Sequence, residues 1–203
     1  MASGTLVLLR HGESVWNLEN RFTGWTDVPL TAKGRAEARA AAEKLAGFRF
    51  DYAFSSALVR AQETLEIILD VLGQRDVTVV YNEALNERHY GLLQGLNKAK
   101  TAEKLGLEIV TLWRRSYQFR PPRGESLADT RQRVVAYYRQ RIEPHVLAGA
   151  TVLVVAHANS LRALVMELDD IKPEAVPALR IPTGVPRLYR IDGDGRVDEC
   201  RYL

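Results

Sequence analysis

Cysteine is almost missing from this chain: Cys200 is the one thiol in 203 residues. A single cysteine cannot close an internal disulfide. This one stands in Asp-Glu-Cys-Arg, far in sequence from any base, so it reads as structural rather than as a nucleophile. Long apolar runs are missing too. No stretch approaches the length of a membrane-spanning helix, and strand-like sequence begins at Thr5 without a signal peptide before it. A cytoplasmic location and no membrane partner are therefore expected. Excess charge of one sign is also lacking. The formal net charge is +3, and the arginines are scattered rather than gathered in one block, which argues against nucleic acid as a partner. There is no internal repeat, no low-complexity tract and no linker. With 46% hydrophobic and 26% charged residues, the composition is that of a globular chain with one sizeable core, and a single domain over 1–203 is expected.

The stretch Leu6-Val-Leu-Leu-Arg10-His11-Gly12-Glu13-Ser14 organises what is present. Four apolar residues read as a short buried strand, and a cation, an imidazole and a glycine follow at once. In open α/β sheets, ligands sit beyond the carboxyl ends of the strands, where Arg10 and His11 fall. A guanidinium beside an imidazole suits a nucleophile held next to an anion: arginine binds phosphate through paired hydrogen bonds and disfavours protonation of the ring. Gly12 removes a Cβ where the backbone turns away and would approach a ligand closely.

Residues 11–30 are polar and aromatic without a period, an uncommon loop length unless it is functional. Trp16, Phe22 and Trp25 would pack it down and leave Asn17, Thr23 and the Gly24 amide as donors. Thr31 looks like the N-cap of a helix ending at Gly47. Tyr52–Ser55 is a second strand, and a helix from about Ala57 to Leu72 follows it. Arg60 falls in the first turn of that helix, where the helix dipole disfavours a cation unless an anion lies between them. Val77–Val80 is a third strand. A second irregular section, Asn82 to Lys98, contains Glu87, Arg88, His89 and Tyr90. Helical patterns cover Lys98–Leu105, Ile109–Trp113 with the pair Arg114-Arg115 after it, and Ser126–Leu147, interrupted or ended near Pro144. Thr151–Ala156 is the most strand-like run and ends on His157-Ala158-Asn159-Ser160, which opens another helix. Ile181–Pro186 is a rigid turn. Two strands joined by Asp192-Gly-Asp-Gly195 read as a hairpin at a sheet edge. The alternation predicts an α/β fold: a three-layer sandwich with a mostly parallel sheet and an antiparallel edge.

His11 and His157 thus occupy equivalent places at two strand ends. If those strands are neighbours, the imidazoles face one another, and Arg10 and Arg60 at the same edge turn the pair towards a phosphoryl site. Two histidines could instead bind a metal. The flanking cations oppose that, as does the lack of a cysteine or carboxylate at ligand spacing, so no metal is expected. From the residues alone, His89 and His145 read as structural or solvated. Phosphoryl transfer needs an acid or base for the attacking or leaving oxygen, and Glu87 is the best placed carboxylate.

The segments Leu-Leu-Arg10-His11-Gly-Glu-Ser14-x-x-Asn17, Phe22-Thr-Gly-Trp25, Ser-Ser-Ala-Leu-x-Arg60-Ala, Leu-Asn-Glu87-Arg-His-Tyr-Gly91, Gly-Leu-Asn-Lys98, Arg114-Arg115-Ser and Ala-His157-x-Asn-Ser-Leu-Arg-Ala resemble the cofactor-dependent phosphoglycerate mutases of the histidine phosphatase superfamily. The similarity spans Leu6 to Leu203, with the motifs in family order. The resemblance implies a phosphoglycerate mutase-like fold. It also implies interconversion of 2-phosphoglycerate and 3-phosphoglycerate without a metal, with 2,3-bisphosphoglycerate as primer and intermediate. His11 would carry the phosphoryl group, His157 would face it, and Glu87 would exchange the proton. Arg10, Asn17 and Arg60 would neutralise oxygens. Thr23, Gly24, Tyr90, Lys98, Arg114 and Arg115 would hold the far phosphate and carboxylate. Arg88, His89, Ala158 and Asn159 join the binding residues by the same resemblance. The partners implied are small phosphoglycerates, with a homo-oligomer left open. A phosphomonoesterase on the same scaffold, or a binding module that only recognises phosphate, are the rival readings.

Three features depart from the family pattern. Ala158 replaces the usual glycine, which costs nothing if φ there is negative. The section between Arg115 and Gly124 is short, and the sequence stops at Leu203, where relatives can carry a mobile tail. Cover for the site is then expected from the Phe22–Asp27 loop and the Glu87–Lys98 section.

Overall fold

The computed structural model describes residues 3–203. Strand β1, Gly4–Arg10, is followed by the single-turn helix α1, Val15–Leu18. Helix α2, Ala32–Lys44, begins at Thr31, whose side chain accepts the Gly34 N–H at 3.0 Å, a standard N-cap bond. Strand β2, Tyr52–Ser55, helix α3, Val59–Val71, and strand β3, Thr78–Tyr81, complete the first half. Helices α4, Lys98–Leu105, and α5, Leu107–Arg115, precede α6, Leu127–Tyr137. The helix expected from about Ser126 to Leu147, with an interruption near Pro144, is interrupted just before that proline. A π-helical turn, Tyr138–Ile142, joins α6 to α7, Glu143–Leu147. Pro144 lacks an N–H and its ring crowds the preceding turn, and the wider winding just before it absorbs both effects. Strand β4, Thr151–Ala156, helix α8, Ala158–Leu168, and the hairpin strands β5, Arg187–Ile191, and β6, Val197–Tyr202, close the sequence.

The sheet order is β3-β2-β4-β1-β5-β6. The first four strands are mutually parallel, β5 runs antiparallel to β1, and β6 antiparallel to β5. Alternation along the central strands builds the two cores. Leu6, Leu8, Val152 and Val154 join Phe54, Val134, Tyr138 and Leu164 on one face, under α6 and α8. Val7, Leu9, Leu153 and Val155 join Ala41, Leu45, Leu65 and Ile68 on the other, under α2 and α3. Each fully buried leucine or valine contributes roughly 1.5–3 kcal/mol relative to exposure. This is the three-layer α/β architecture that the strand and helix alternation predicts.

Register places the two histidines. β1 and β4 are adjacent and parallel, with Arg10 opposite Ala156, so His11 and His157 leave the sheet side by side. The His11 N–H donates to the Ala156 carbonyl at 3.0 Å, extending the ladder one residue past the strand. Gly12 is needed for a different reason from the one its position suggests. A Cβ there would meet the Gly34 carbonyl oxygen in the first turn of α2, so the close approach is to a helix and not to a ligand.

Candidate active site

His11 and His157 are both buried, with ring centroids 4.9 Å apart and planes tilted by 59°. The His11 Nδ1 lies 2.7 Å from the Gly12 carbonyl oxygen. A carbonyl can only accept, so Nδ1 carries the proton and Nε2 keeps its lone pair. On the other ring, a hydrogen bond joins His157 Nε2 and Ser56 Oγ at 2.7 Å, while His157 Nδ1 is buried with no protein partner. Burial, then the charges of Arg60 and Arg10, hold the His11 imidazole well below its ordinary value. Burial, Arg60 and the neighbouring ring do the same for His157. Both rings are therefore neutral at neutral pH, as a nitrogen nucleophile must be.

A cleft of about 230 Å³ opens beside them, lined by their chain neighbours Arg10 and Ala158 but by neither imidazole. Arg10, Asn17, Thr23, Gly24, Glu87 and Tyr90 line it from β1, the loop after it and the loop before α4. Lys98, Arg114, Arg115, Ala158 and Asn159 line it from α4, α5 and α8, so most of the binding residues expected from sequence converge there. Arg10 donates through Nη1 to the Ile181 carbonyl at 2.9 Å, while its Nε is buried and unpartnered. Asn17 is fixed by a reciprocal cap: its Oδ1 accepts the Ser14 N–H at 3.1 Å, and its own N–H donates to Ser14 Oγ at 3.3 Å. Ala158 is the first residue of α8, and it is not among the non-glycine residues with positive φ, so the alanine is accommodated without strain.

Arg60 is buried and does not line the cleft. Its guanidinium donates to the Gly24 carbonyl at 2.8 Å and the Thr26 carbonyl at 3.0 Å. The helix start where an anion was expected is thus partly met by two neutral acceptors from the first loop. Burial lowers Arg60 to about 10 even with Glu87 and Asp27 nearby. Arg88 is also buried beneath the cleft. It donates to the Trp113 carbonyl and stacks its guanidinium 4.7 Å from the Tyr90 ring centroid. His89 packs its ring edge-on against Trp25, and its Nδ1 accepts the Gly91 N–H at 3.0 Å. Neither Arg88 nor His89 reaches the cleft wall.

Glu87 is oriented from both ends. Its Oε1 accepts the N–H groups of Arg88 at 2.8 Å and Asn159 at 3.1 Å. Its backbone carbonyl accepts from Trp25 Nε1 at 2.6 Å and Arg133 Nη2 at 2.9 Å. Burial raises the Tyr90 phenol, but the Arg88 charge and the Asn159 amide outweigh it and leave the group lower than usual. Lys98 is lowered by burial and by Arg114 and Arg10. The two cover loops are stitched together: Phe22 N–H donates to the Leu96 carbonyl at 3.0 Å, Gly95 N–H to the Phe22 carbonyl at 2.8 Å, and Trp25 N–H to Gln94 Oε1 at 2.9 Å.

Three contributors carry no role assigned from sequence, although Ser56 and Arg162 stand inside the segments Ser-Ser-Ala-Leu-x-Arg60-Ala and Ala-His157-x-Asn-Ser-Leu-Arg-Ala. Arg162 and Arg180 line the cleft, and Ser56 holds His157. Arg162 follows Asn159 by three residues on α8, so helical spacing from a known site residue could have found it. Arg180 lies in an irregular segment and carries no such signal. Among the described residues, no group of three or more histidines, cysteines or carboxylates could hold a metal ion, and no helix is long and apolar enough to cross a membrane.

A family profile described as the histidine phosphatase superfamily (branch 1) matches residues 6–200. The 2,3-bisphosphoglycerate-dependent phosphoglycerate mutase 2 of Gloeobacter violaceus is 56% identical over 190 residues, covering 94% of this chain and 87% of that protein. The 2,3-bisphosphoglycerate-dependent phosphoglycerate mutase of Mesorhizobium japonicum is 55% identical over 203 residues, covering 99% and 98%. Among solved structures, a mycobacterial glucosyl-3-phosphoglycerate phosphatase complexed with VO3 superposes with a TM-score of 0.81 at 29% identity, covering 98% of this chain and 97% of that one.

Proposed function

Since the chain belongs to the histidine phosphatase superfamily, we propose that it interconverts 2-phosphoglycerate and 3-phosphoglycerate, as an isomerase that works through a phosphohistidine. The observation that carries the reading is a neutral His11 with Nε2 free, facing His157, beside a cleft lined by one carboxylate and many cations. 2,3-Bisphosphoglycerate fits that cleft: the buried, unpartnered Arg10 Nε and His157 Nδ1 are donors awaiting an anion. Its part is to supply the phosphoryl group that primes His11.

His11 Nε2 attacks phosphorus, an N–P bond forms, and the P–O bond to the sugar acid breaks. Glu87 gives its proton to the departing oxygen, through Oε2, since Oε1 is occupied by two backbone N–H groups. In the reverse direction Glu87 takes the proton of the attacking hydroxyl as the N–P bond breaks. Transfer to one hydroxyl and from the other exchanges the phosphate position without net loss. With the Ser56 hydroxyl donating to Nε2, His157 presents Nδ1–H to the transferring oxygens, and Arg10 and Arg60 add charge stabilisation. Lys98, Arg114 and Arg115 hold the end of the ligand that is not reacting, with Asn17, Thr23, Gly24, Tyr90, Ala158 and Asn159 around it. Arg88 and His89 act from beneath, by fixing Tyr90 and the loop. We place this activity in one domain, 1–203, in the cytoplasm, as a step of glycolysis and gluconeogenesis.

A phosphatase reading draws on the 29% identical phosphatase neighbour. The assay that separates the two uses 3-phosphoglycerate with and without added bisphosphoglycerate. Stimulated isomerisation supports the mutase; release of inorganic phosphate as the main product replaces it with the phosphatase.

A further inference from the structure

Arg180 is held in place more firmly than an exposed loop residue usually is. Each of three successive carbonyls is bonded by a side chain: Leu179 accepts from Arg162 Nε at 3.0 Å, Arg180 from the Tyr202 hydroxyl at 3.3 Å, and Ile181 from Arg10 Nη1 at 2.9 Å. Two of those clamps are themselves cleft arginines. The Gly184 N–H adds a bond to the Arg10 carbonyl at 3.0 Å, tying the end of the same segment to β1. Arg180 therefore extends from a fixed backbone into the rim of the cleft. There its charge is felt by Arg115, which is lowered first by burial and then by Arg180 and Arg114.

The cations lining the cleft are Arg10, Lys98, Arg114, Arg115, Arg162 and Arg180, and the one carboxylate is Glu87. A phosphate group carries about −1.5 to −2 at neutral pH. With its carboxylate, a bisphosphorylated glycerate is therefore near −4 to −5, and a monophosphorylated one near −2.5 to −3, by the same figures. The cleft holds more positive charge than a monophosphate can neutralise. Crowding an exposed arginine against Arg115 is unfavourable until a second phosphate lies between them.

We propose that Arg180 is a specificity-determining residue that selects the bisphosphorylated ligand over the monophosphates, by pairing with Arg115 across its second phosphate. The inference rests on the mutase reading for the identity of the ligand. Its consequence is retention: an intermediate that must turn over between two transfers is released less readily than the products.

The test compares Arg180→Gln and Arg180→Lys with the parent chain, each in a His11→Asn background that cannot accept a phosphoryl group. Calorimetry would give dissociation constants for 2,3-bisphosphoglycerate and for 3-phosphoglycerate. For an exposed charge pair, Arg180→Gln should weaken the bisphosphate about fivefold and the monophosphate less than twofold. Arg180→Lys should fall between, because it keeps the charge and loses the fork. In the His11 enzyme, the bisphosphoglycerate concentration for half-maximal priming should rise while the KM for 3-phosphoglycerate moves less. Equal weakening of both ligands, or no change in either, overturns the assignment. A parent enzyme that shows the selective binding but does not isomerise would remove the mutase reading and leave the role of Arg180 standing.

Discussion

The Arg60 guanidinium holds the Gly24 carbonyl at 2.8 Å, and so ties the first turn of α3 to the loop whose Thr23 and Gly24 line the cleft. The same side chain reaches the Thr26 carbonyl at 3.0 Å. One buried arginine thus sets the cover loop and contributes the charge that keeps both imidazoles neutral.

Arg60→Lys separates those roles. Lysine keeps a charge but cannot reach two carbonyls with a planar fork. Breaking buried bonds to a charged donor costs about 1.5–3 kcal/mol. We expect urea unfolding to show a loss in that range, and phosphoenzyme formation to fall by roughly 10²-fold because the charge is displaced. Unchanged stability in the lysine variant would show that the two carbonyls do not depend on Arg60.

The histidine pair should write itself into the pH dependence of stability. In the unfolded chain each imidazole titrates near 6.5, whereas in the folded protein both are held well below that. Between those values the unfolded state binds more protons, so stability is full above about pH 6.5 and falls as the pH drops below it. The slope can reach about 1.4 kcal/mol per pH unit for each ring. Urea unfolding at pH 7.5, 6.5 and 5.5 checks this, and the double variant His11→Asn/His157→Asn should lose most of that slope. The same slope in both proteins would place the acid sensitivity elsewhere.

Much of this was legible in sequence, because the strong signals are local. The apolar runs at Leu6–Leu9 and Val152–Val155 announce central strands, and each ends on its histidine, so parallel pairing alone brings the rings together. Thr31 and Ser126 cap helices as their types predict. What escaped depends on distant partners. Whether Arg60 meets an anion or two carbonyls is decided by where a loop 34 and 36 residues away folds back. Gly12 is explained by Gly34, a neighbour only once α2 is docked. Arg180 acquires its place from Arg10, Arg162 and Tyr202, which lie on three separate elements. Arg88 and His89 sit in a motif with Glu87 and Tyr90, yet the chain's turn at that point sends them under the cleft wall.

Arginines, not carboxylates, surround the histidines, and that donor set suits a phosphoryl group rather than a divalent cation. Activity is expected to survive exhaustive chelation. Vanadate should inhibit it by occupying the place of the five-coordinate transition state between His11 Nε2 and the oxygen that attacks or leaves. A steady-state assay with a chelator and with graded vanadate measures both. Loss on chelation with recovery on manganese or zinc would require a metal site that this arrangement does not provide for.

Glu87 offers the sharpest separation of binding from chemistry. Its Oε1 accepts backbone N–H groups from Arg88 and Asn159, which fixes the carboxyl group whether or not Oε2 carries a proton. In Glu87→Gln the amide oxygen can take the place of Oε1 and keep both bonds, so the loop and the cleft wall should stand. The amide nitrogen replaces Oε2, and it can neither give nor take a proton at neutral pH. Removing a positioned acid–base group costs about 10²–10⁴-fold in rate. We therefore expect kcat to fall in that range, while the KM for 3-phosphoglycerate shifts by no more than a few-fold and the melting temperature holds. His11 labelling from bisphosphoglycerate should slow with it, since the leaving alkoxide must then depart unprotonated. The label itself should remain acid-labile and base-stable, as a phosphoramidate is, and His11→Ala should abolish it. A Glu87→Gln enzyme of full activity would mean that the proton travels through another group, and Tyr90, whose hydroxyl lies 3.3 Å from the Asn159 amide nitrogen, would be the first to test.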